Sequence, residues 1–100
     1  MATTKVHAPI TPGEILLTEF LEPLGISQYR LAQATGVSQT RISEIIRGKR
    51  SITTDTGVRL SRELGTDLRF WINLQAEYDF QVEMDEHADE LEAISPLVGV

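Results

Sequence analysis

There is no cysteine in these 100 residues. A disulfide framework and thiolate metal sites are thereby excluded, and nothing in the chain demands an oxidising compartment. No run approaches the roughly 18 apolar residues of a membrane span, and the N-terminal MATTKVHAPITPGE lacks the apolar stretch of a signal peptide. These absences predict a soluble, cytoplasmic protein with no membrane partner. Aromatic residues make up only 6% of a chain whose length suits one domain, so one modest core is all that can form. Positive charge is missing beyond Arg69, and from Glu77 to Glu92 eight acidic residues follow one another without a Lys or Arg.

The charge that is present is unevenly placed. Residues 1–50 carry six Lys and Arg against four Asp and Glu, whereas residues 51–100 carry three against eleven, within a formal net charge of −6. This asymmetry predicts a basic face for a polyanion and an acidic part that repels one, contacts a basic partner or stays solvated.

Helix signals recur at short intervals and no segment alternates like a strand, which predicts an all-α chain. Thr11 can cap a first helix with Pro12 at its first position and Glu14 three residues on, and Pro23 and Gly25 are expected to stop it. Ser27 opens a second helix ending near Thr35 and Gly36, and Ser38 opens a third ending at Gly48. Thr53 or Thr54 caps a fourth, stopped by Gly65. Asp67 caps a fifth, with Leu68, Trp71, Leu74 and Tyr78 on one face. Beyond Asp79, Phe80, Met84, Leu91 and Ile94 mark a second stripe on a strongly acidic helix, continuous with the fifth or kinked from it, and ended by Pro96. The expected organisation is an N-terminal arm over 1–10, a domain over 11–79 and an acidic helical extension with an apolar tail over 80–100.

The segment SQYRLAQATGVSQTRISEIIRGKR, residues 27–50, carries the functional signal. Two short helices joined by about three residues with a central glycine match the helix-turn-helix, whose second helix enters the major groove of DNA. Counted from Gln28, Leu31 and Ala32 are fourth and fifth, Gly36 ninth, Val37 tenth, Ile42 fifteenth and Ile45 eighteenth. Ala32 must be small because the helices cross closely, Gly36 can take positive φ in the turn, and the four larger residues fill the wedge between helices. Such a recognition helix leaves Ser38, Gln39, Thr40, Arg41, Ser43, Glu44 and Arg47 for DNA. Gln39 can bond adenine bidentately, Arg41 can bond guanine, and Thr40 can meet a thymine methyl group or a phosphate. Gln28, at the start of the preceding helix, can grip a phosphate, and Arg47, Lys49 and Arg50 supply further phosphate contacts. Glu44 can accept from cytosine, but an ion pair with Arg41 or Arg47 is the stronger expectation. So few contacts predict a homodimer that places two recognition helices about 34 Å, or about 10 bp, apart. Phe70, Trp71, Tyr78 and the Val98–Val100 tail are candidate self-association surfaces, with Trp71 expected in the domain core.

The segments PGEILLTEFLEPLGIS, SQYRLAQATGVSQTRISEIIRGKRSITTDTGVRLSRELGT and FWINLQAEYD, over about residues 9–80, resemble the HigA-type antitoxins of the Xre-like helix-turn-helix superfamily. The resemblance implies a five-helix, lambda-repressor-like DNA-binding domain, here followed by the acidic helical extension. It also implies binding of double-stranded operator DNA, repression of the shared operon, and neutralisation of a cognate small basic toxin of the HigB mRNA endonuclease type. Gln28, Gln39, Thr40 and Arg41 fall where Xre-like proteins touch DNA. The chain departs from the family pattern at Thr11, where His is frequent, and at Gly57 and Ser61, where alanine is common. As an exposed helical residue, Gly57 would cost up to ~1 kcal/mol relative to alanine. Charge alone suggests that the acidic segment Glu77–Glu92 contacts the toxin.

No nucleophile motif, phosphate loop or convincing carboxylate pair is visible, so catalysis and cofactors are not expected. Glu83, His87 and Glu90 share a helix face, but one helix rarely completes a metal site and a solvated face is expected. His7 belongs to the arm. A stand-alone regulator of the same superfamily, with no toxin, remains the alternative function.

Overall fold

The computed structural model describes residues 9–99, and every regular element among them is helical. The expectations for His7, Val100 and most of the N-terminal arm lie outside the described residues. Helix α1 is one continuous run of three segments, α-helical Pro12–Ile15, π-helical Leu16–Leu21 and α-helical Glu22–Leu24. It is followed by α2 (Gln28–Thr35), α3 (Gln39–Ile46), α4 (Thr54–Leu64), α5 (Phe70–Glu86) and α6 (Ala88–Glu92).

Local side-chain chemistry starts the first four helices where the sequence predicts. The hydroxyls of Thr11, Ser27, Ser38 and Thr53 accept hydrogen bonds from the backbone N–H three residues on, at 3.0–3.3 Å. Of the two candidates for α4, Thr53 is the cap and Thr54 the first helical residue. Two other boundaries move. Pro23 does not stop α1, which runs on to Leu24 and ends at Gly25 with φ +67°. A proline inside an α-helix lacks the N–H donor and collides with the carbonyl four residues back. Here the turns before Pro23 are wide, the N–H of Glu22 reaching back to the Leu17 carbonyl, which is where a helix can admit the ring. Asp67 caps a turn rather than α5 itself. Its Oδ1 accepts from the Arg69 N–H at 2.8 Å, its carbonyl accepts from Phe70, and the helix starts at Phe70. Leu68 therefore sits in the turn, 46% exposed, and does not share the buried face of Trp71.

The core gathers Leu16 and Leu21 of α1, Leu31 and Ala32 of α2, Val37 of the turn, Ile42 and Ile45 of α3, Ile52, Leu60 of α4 and Trp71 of α5. Trp71 is fully buried, with the Phe20 ring centred 5.1 Å away and the Phe70 ring 4.9 Å away, edge to face. That burial removes Trp71 from the candidate self-association surface, while Tyr78 and Phe70, the latter packed against the core, are partly buried.

Two glycines mark where backbones meet. A Cβ on Gly13 would overlap the Ile45 carbonyl oxygen and lie 2.9 Å from the Ile46 Cα, so the start of α1 rests directly on the end of α3. Gly57 is buried rather than exposed, and a Cβ there would meet Ile72 Cγ1 at 3.0 Å. This corrects the expectation that Gly57 simply weakens an exposed helix. It makes room where α4 crosses α5.

Beyond Asp79 the helix buries no further side chain. It runs straight to Glu86, breaks at His87 (φ −124°, ψ 28°) and resumes as α6, which ends at Glu92, short of Pro96. Phe80 is 58% exposed, and Met84, Ile94, Leu97 and Val98 are exposed as well. The radius of gyration, 16.6 Å, exceeds the about 13 Å of a compact chain of this length because the extension projects outward.

The two glycine contacts are expected to respond differently to one added methyl group. Gly13→Ala presses on backbone and should destabilise the fold by about 3 kcal/mol or more. Gly57→Ala presses on a side-chain atom, Ile72 Cγ1, which need give only a few tenths of an ångström, while gaining ~1 kcal/mol of helix propensity, and should be close to neutral. Urea unfolding of both variants measures the contrast.

Candidate nucleic-acid interface

Each of the six positions that define the helix-turn-helix behaves as its residue type requires. Leu31, Ala32, Val37, Ile42 and Ile45 are buried and Gly36 takes φ +79°. The turn is held by more than packing. Thr35 Oγ1 donates to the Leu31 carbonyl at 2.7 Å and accepts from the Val37 N–H at 3.3 Å. Arg59 of α4 donates to the Thr35 carbonyl through Nη1 at 2.8 Å while its Nε pairs with Asp55. That guanidinium satisfies a carbonyl left over at the end of α2 and ties α4 to it.

With Ile42 and Ile45 turned inward and Ile46 half-buried, α3 presents Gln39, Thr40, Arg41 and Arg47 to solvent and Ser43 and Glu44 at its flank. Gln39, Thr40, Ser43 and Arg47 line one shallow groove. Ser38 is exposed, but its oxygen accepts from the Arg41 N–H at 3.1 Å, so its first role is as a cap. Gln28 is half-buried at the first position of α2, beside the Ser27 cap.

The basic end of the motif differs from expectation in one respect. Glu44 pairs with neither Arg41 nor Arg47. Its Oε1 lies 2.7 Å from Arg50 Nε. The reason is the reversal at Gly48, φ +76°, where the Lys49 N–H returns to the Glu44 carbonyl at 2.8 Å and the chain carries Arg50 back over the last turn of α3. Glu44 therefore steadies Arg50. Arg47 stays close to its own helix, Nε to the Ser43 carbonyl at 3.4 Å, and Lys49 is exposed.

Sequence reasoning missed two residues that set this geometry. One is Arg59. The other is Gln75, buried in α5, whose Oε1 accepts from the Ile52 N–H at 2.8 Å and whose Nε2 donates to Asp79 Oδ1 at 2.9 Å. The loop that follows the basic run is thereby fastened to α5. A usable signal was present, since Gln75 lies four residues after Trp71 on the face that points into the core. On the extension, His87 Nδ1 lies 2.6 Å from Glu83 Oε2, and the break at His87 takes Glu90 off their common face. Among the described residues no group of three or more acidic or His side chains could hold a metal, and no helix is long and apolar enough to cross a membrane.

This geometry is shared with known proteins. The helix-turn-helix family model matches residues 17–71. Antitoxin HigA-1 of Vibrio cholerae is 35% identical over 97 residues, covering 97% of this chain and 90% of that protein. This chain belongs to the HigA-type antitoxin family. Virulence-associated protein I of Dichelobacter nodosus is 44% identical over 88 residues, covering 88% of this chain and 81% of its own. Among solved structures, the Pseudomonas aeruginosa antitoxin HigA with the higBA promoter superposes with a TM-score of 0.84 at 40% identity, covering 90% of this chain and 99% of that one. The family shares the all-helical fold, and its HigA member in that structure is bound to promoter DNA.

Replacing Gln75 by leucine keeps the volume but leaves the buried Ile52 N–H without an acceptor. Gln75→Leu is expected to cost about 1–3 kcal/mol, measurable as a lower urea midpoint at unchanged m-value.

Proposed function

We propose that this chain is the antitoxin of a two-protein system, a homodimer that represses its own operon by sequence-specific DNA binding and neutralises a HigB-type mRNA endonuclease toxin in the cytoplasm. The observation that carries the reading is the exposed face of α3. Hydrogen-bonding side chains of the types that can read base edges stand exposed on a helix whose other side is buried in the core, in a chain of the HigA-type family. Its role is binding rather than catalysis.

The division of labour follows from chemistry. Gln39 and Arg41 read base edges, adenine and guanine respectively, and Thr40 contacts a thymine methyl group or a phosphate. Ser43 lines the same groove at the edge of the reading surface. Gln28, Ser38, Arg47, Lys49 and Arg50 position the protein on the backbone, with Arg50 held by Glu44. Two copies place two such faces on successive turns of the duplex. The exposed apolar side chains of the extension, Phe80 and Met84 above all, are available to bury against the second copy. Its carboxylates suit the basic toxin.

DNA readout is tested by three substitutions. Gln39→Ala and Arg41→Ala are each expected to cost about 1–3 kcal/mol and relax specificity at one base pair. Lys49→Ala should weaken binding to every duplex alike and flatten the dependence of log K on log salt by about one charge. Fluorescence anisotropy on operator and scrambled duplexes over a salt series measures both, and parent-like binding by all three variants would remove the assignment.

The toxin half is tested by growth. Expression of the adjacent small open reading frame should arrest cells, and co-expression of this chain should relieve the arrest. Charge reversal at Glu83, Asp85 and Glu86 together should abolish relief without changing DNA affinity. A verified, harmless neighbour product would instead identify a stand-alone regulator.

A further inference from the structure

On the first turn of α2, beside Gln28, Tyr29 is 55% exposed. An aromatic ring of this size left half in water on a short helix invites a question about what it meets. One turn on, Gln33 Nε2 donates to the Tyr29 hydroxyl oxygen at 2.9 Å. Together with Gly36, Ser38 and Gln39, these two residues line a single groove between α2 and the start of α3. The pair therefore borders the residue that begins base reading, on the side where the phosphate backbone must pass if α3 lies in the major groove.

The direction of the hydrogen bond matters. A phenol has one proton to give and an oxygen that accepts. Because Gln33 donates into that oxygen, the phenolic proton is left to be offered elsewhere, and what it requires is an acceptor. A phosphate oxygen is acceptor-only. The amide thus orients a neutral donor, rigid at low entropic cost because tyrosine has few rotatable bonds.

We propose that Tyr29 is a further DNA-contacting residue, its hydroxyl donating to a backbone phosphate at the edge of the major groove, and that Gln33 is its positioning residue. This rests on the DNA-binding reading of α3. It adds a neutral anchor to the charged ones, and a neutral anchor has a distinct signature. Losing it weakens binding without changing the number of counterions released.

The test is anisotropy titration of the full chain with operator duplex and with a scrambled duplex of equal length, over a salt series. Tyr29→Phe removes only the hydroxyl. It is expected to raise Kd about three- to tenfold on both duplexes, leaving the salt slope and the thermal midpoint unchanged. Gln33→Ala should lose part of the same factor, and the Tyr29→Phe, Gln33→Ala double variant no more than Tyr29→Phe alone, since both act on one bond. Parent-like binding by Tyr29→Phe, with Arg41→Ala still weakened, would overturn the inference and leave the reading of α3 standing. A loss confined to the operator would overturn the phosphate assignment in favour of base contact. If Arg41→Ala and Tyr29→Phe both bind like the parent, the inference falls together with the reading beneath it.

Discussion

Among the described glycines the most crowded is Gly13, at the start of α1, where the Ile45 carbonyl at the end of α3 occupies the space that a Cβ would need. Everything that makes α3 useful depends on it. A recognition helix works by presenting a few side chains at fixed angles, and a helix of eight residues has too few internal hydrogen bonds to hold itself. It must be held by its neighbours. α1 closes over one end through backbone contact, α2 packs across the other through Ala32, and Ile42 and Ile45 supply the buried stripe between them. Small residues at both crossings let the backbones come close, and close backbones leave little room for the helix to rock.

Around this fixed helix, polar groups serve as fasteners. Arg59 ties α4 to the end of α2 through the Thr35 carbonyl, and Gln75 ties α5 to the loop after α3 through the Ile52 N–H. Each satisfies a backbone group that would otherwise go without its partner at the end of an element. The Glu44 and Arg50 pair joins side chains only, and turns a flexible cationic side chain back over the helix. A weak surface ion pair adds little stability, but it narrows where a positive charge can be, which suits the phosphate contact proposed for Arg50.

Charge is partitioned to match. Basic residues flank the turn and the end of α3, while the acidic run lies on the second half of α5 and on α6. Carboxylates near the DNA face would repel the duplex, so their removal to a projecting extension serves DNA binding even before any second partner is considered. The same extension carries exposed Phe80 and Met84, which its own chain leaves uncovered.

The helices and the motif were legible because their signals are local. Thr11, Ser27, Ser38 and Thr53 act within three residues of themselves, and the spacing from Leu31 to Ile45 records which side of each helix is apolar. Pro23 and Asp67 misled for a local reason too, since a proline after a wide turn and a turn cap before a helix use the same residues as a stop and a start. The contacts between elements were not legible. That Glu44 meets Arg50, that Gln75 meets Ile52, and that Gly13 and Gly57 mark crossings follow from where segments up to 33 residues apart come to lie. By itself the sequence determined an all-helical chain with a helix-turn-helix and the residues its second helix offers to solvent, because capping and periodicity act over one turn. Only the tertiary structure decided how that helix is clamped and which charges steady it, because those depend on which backbones can touch.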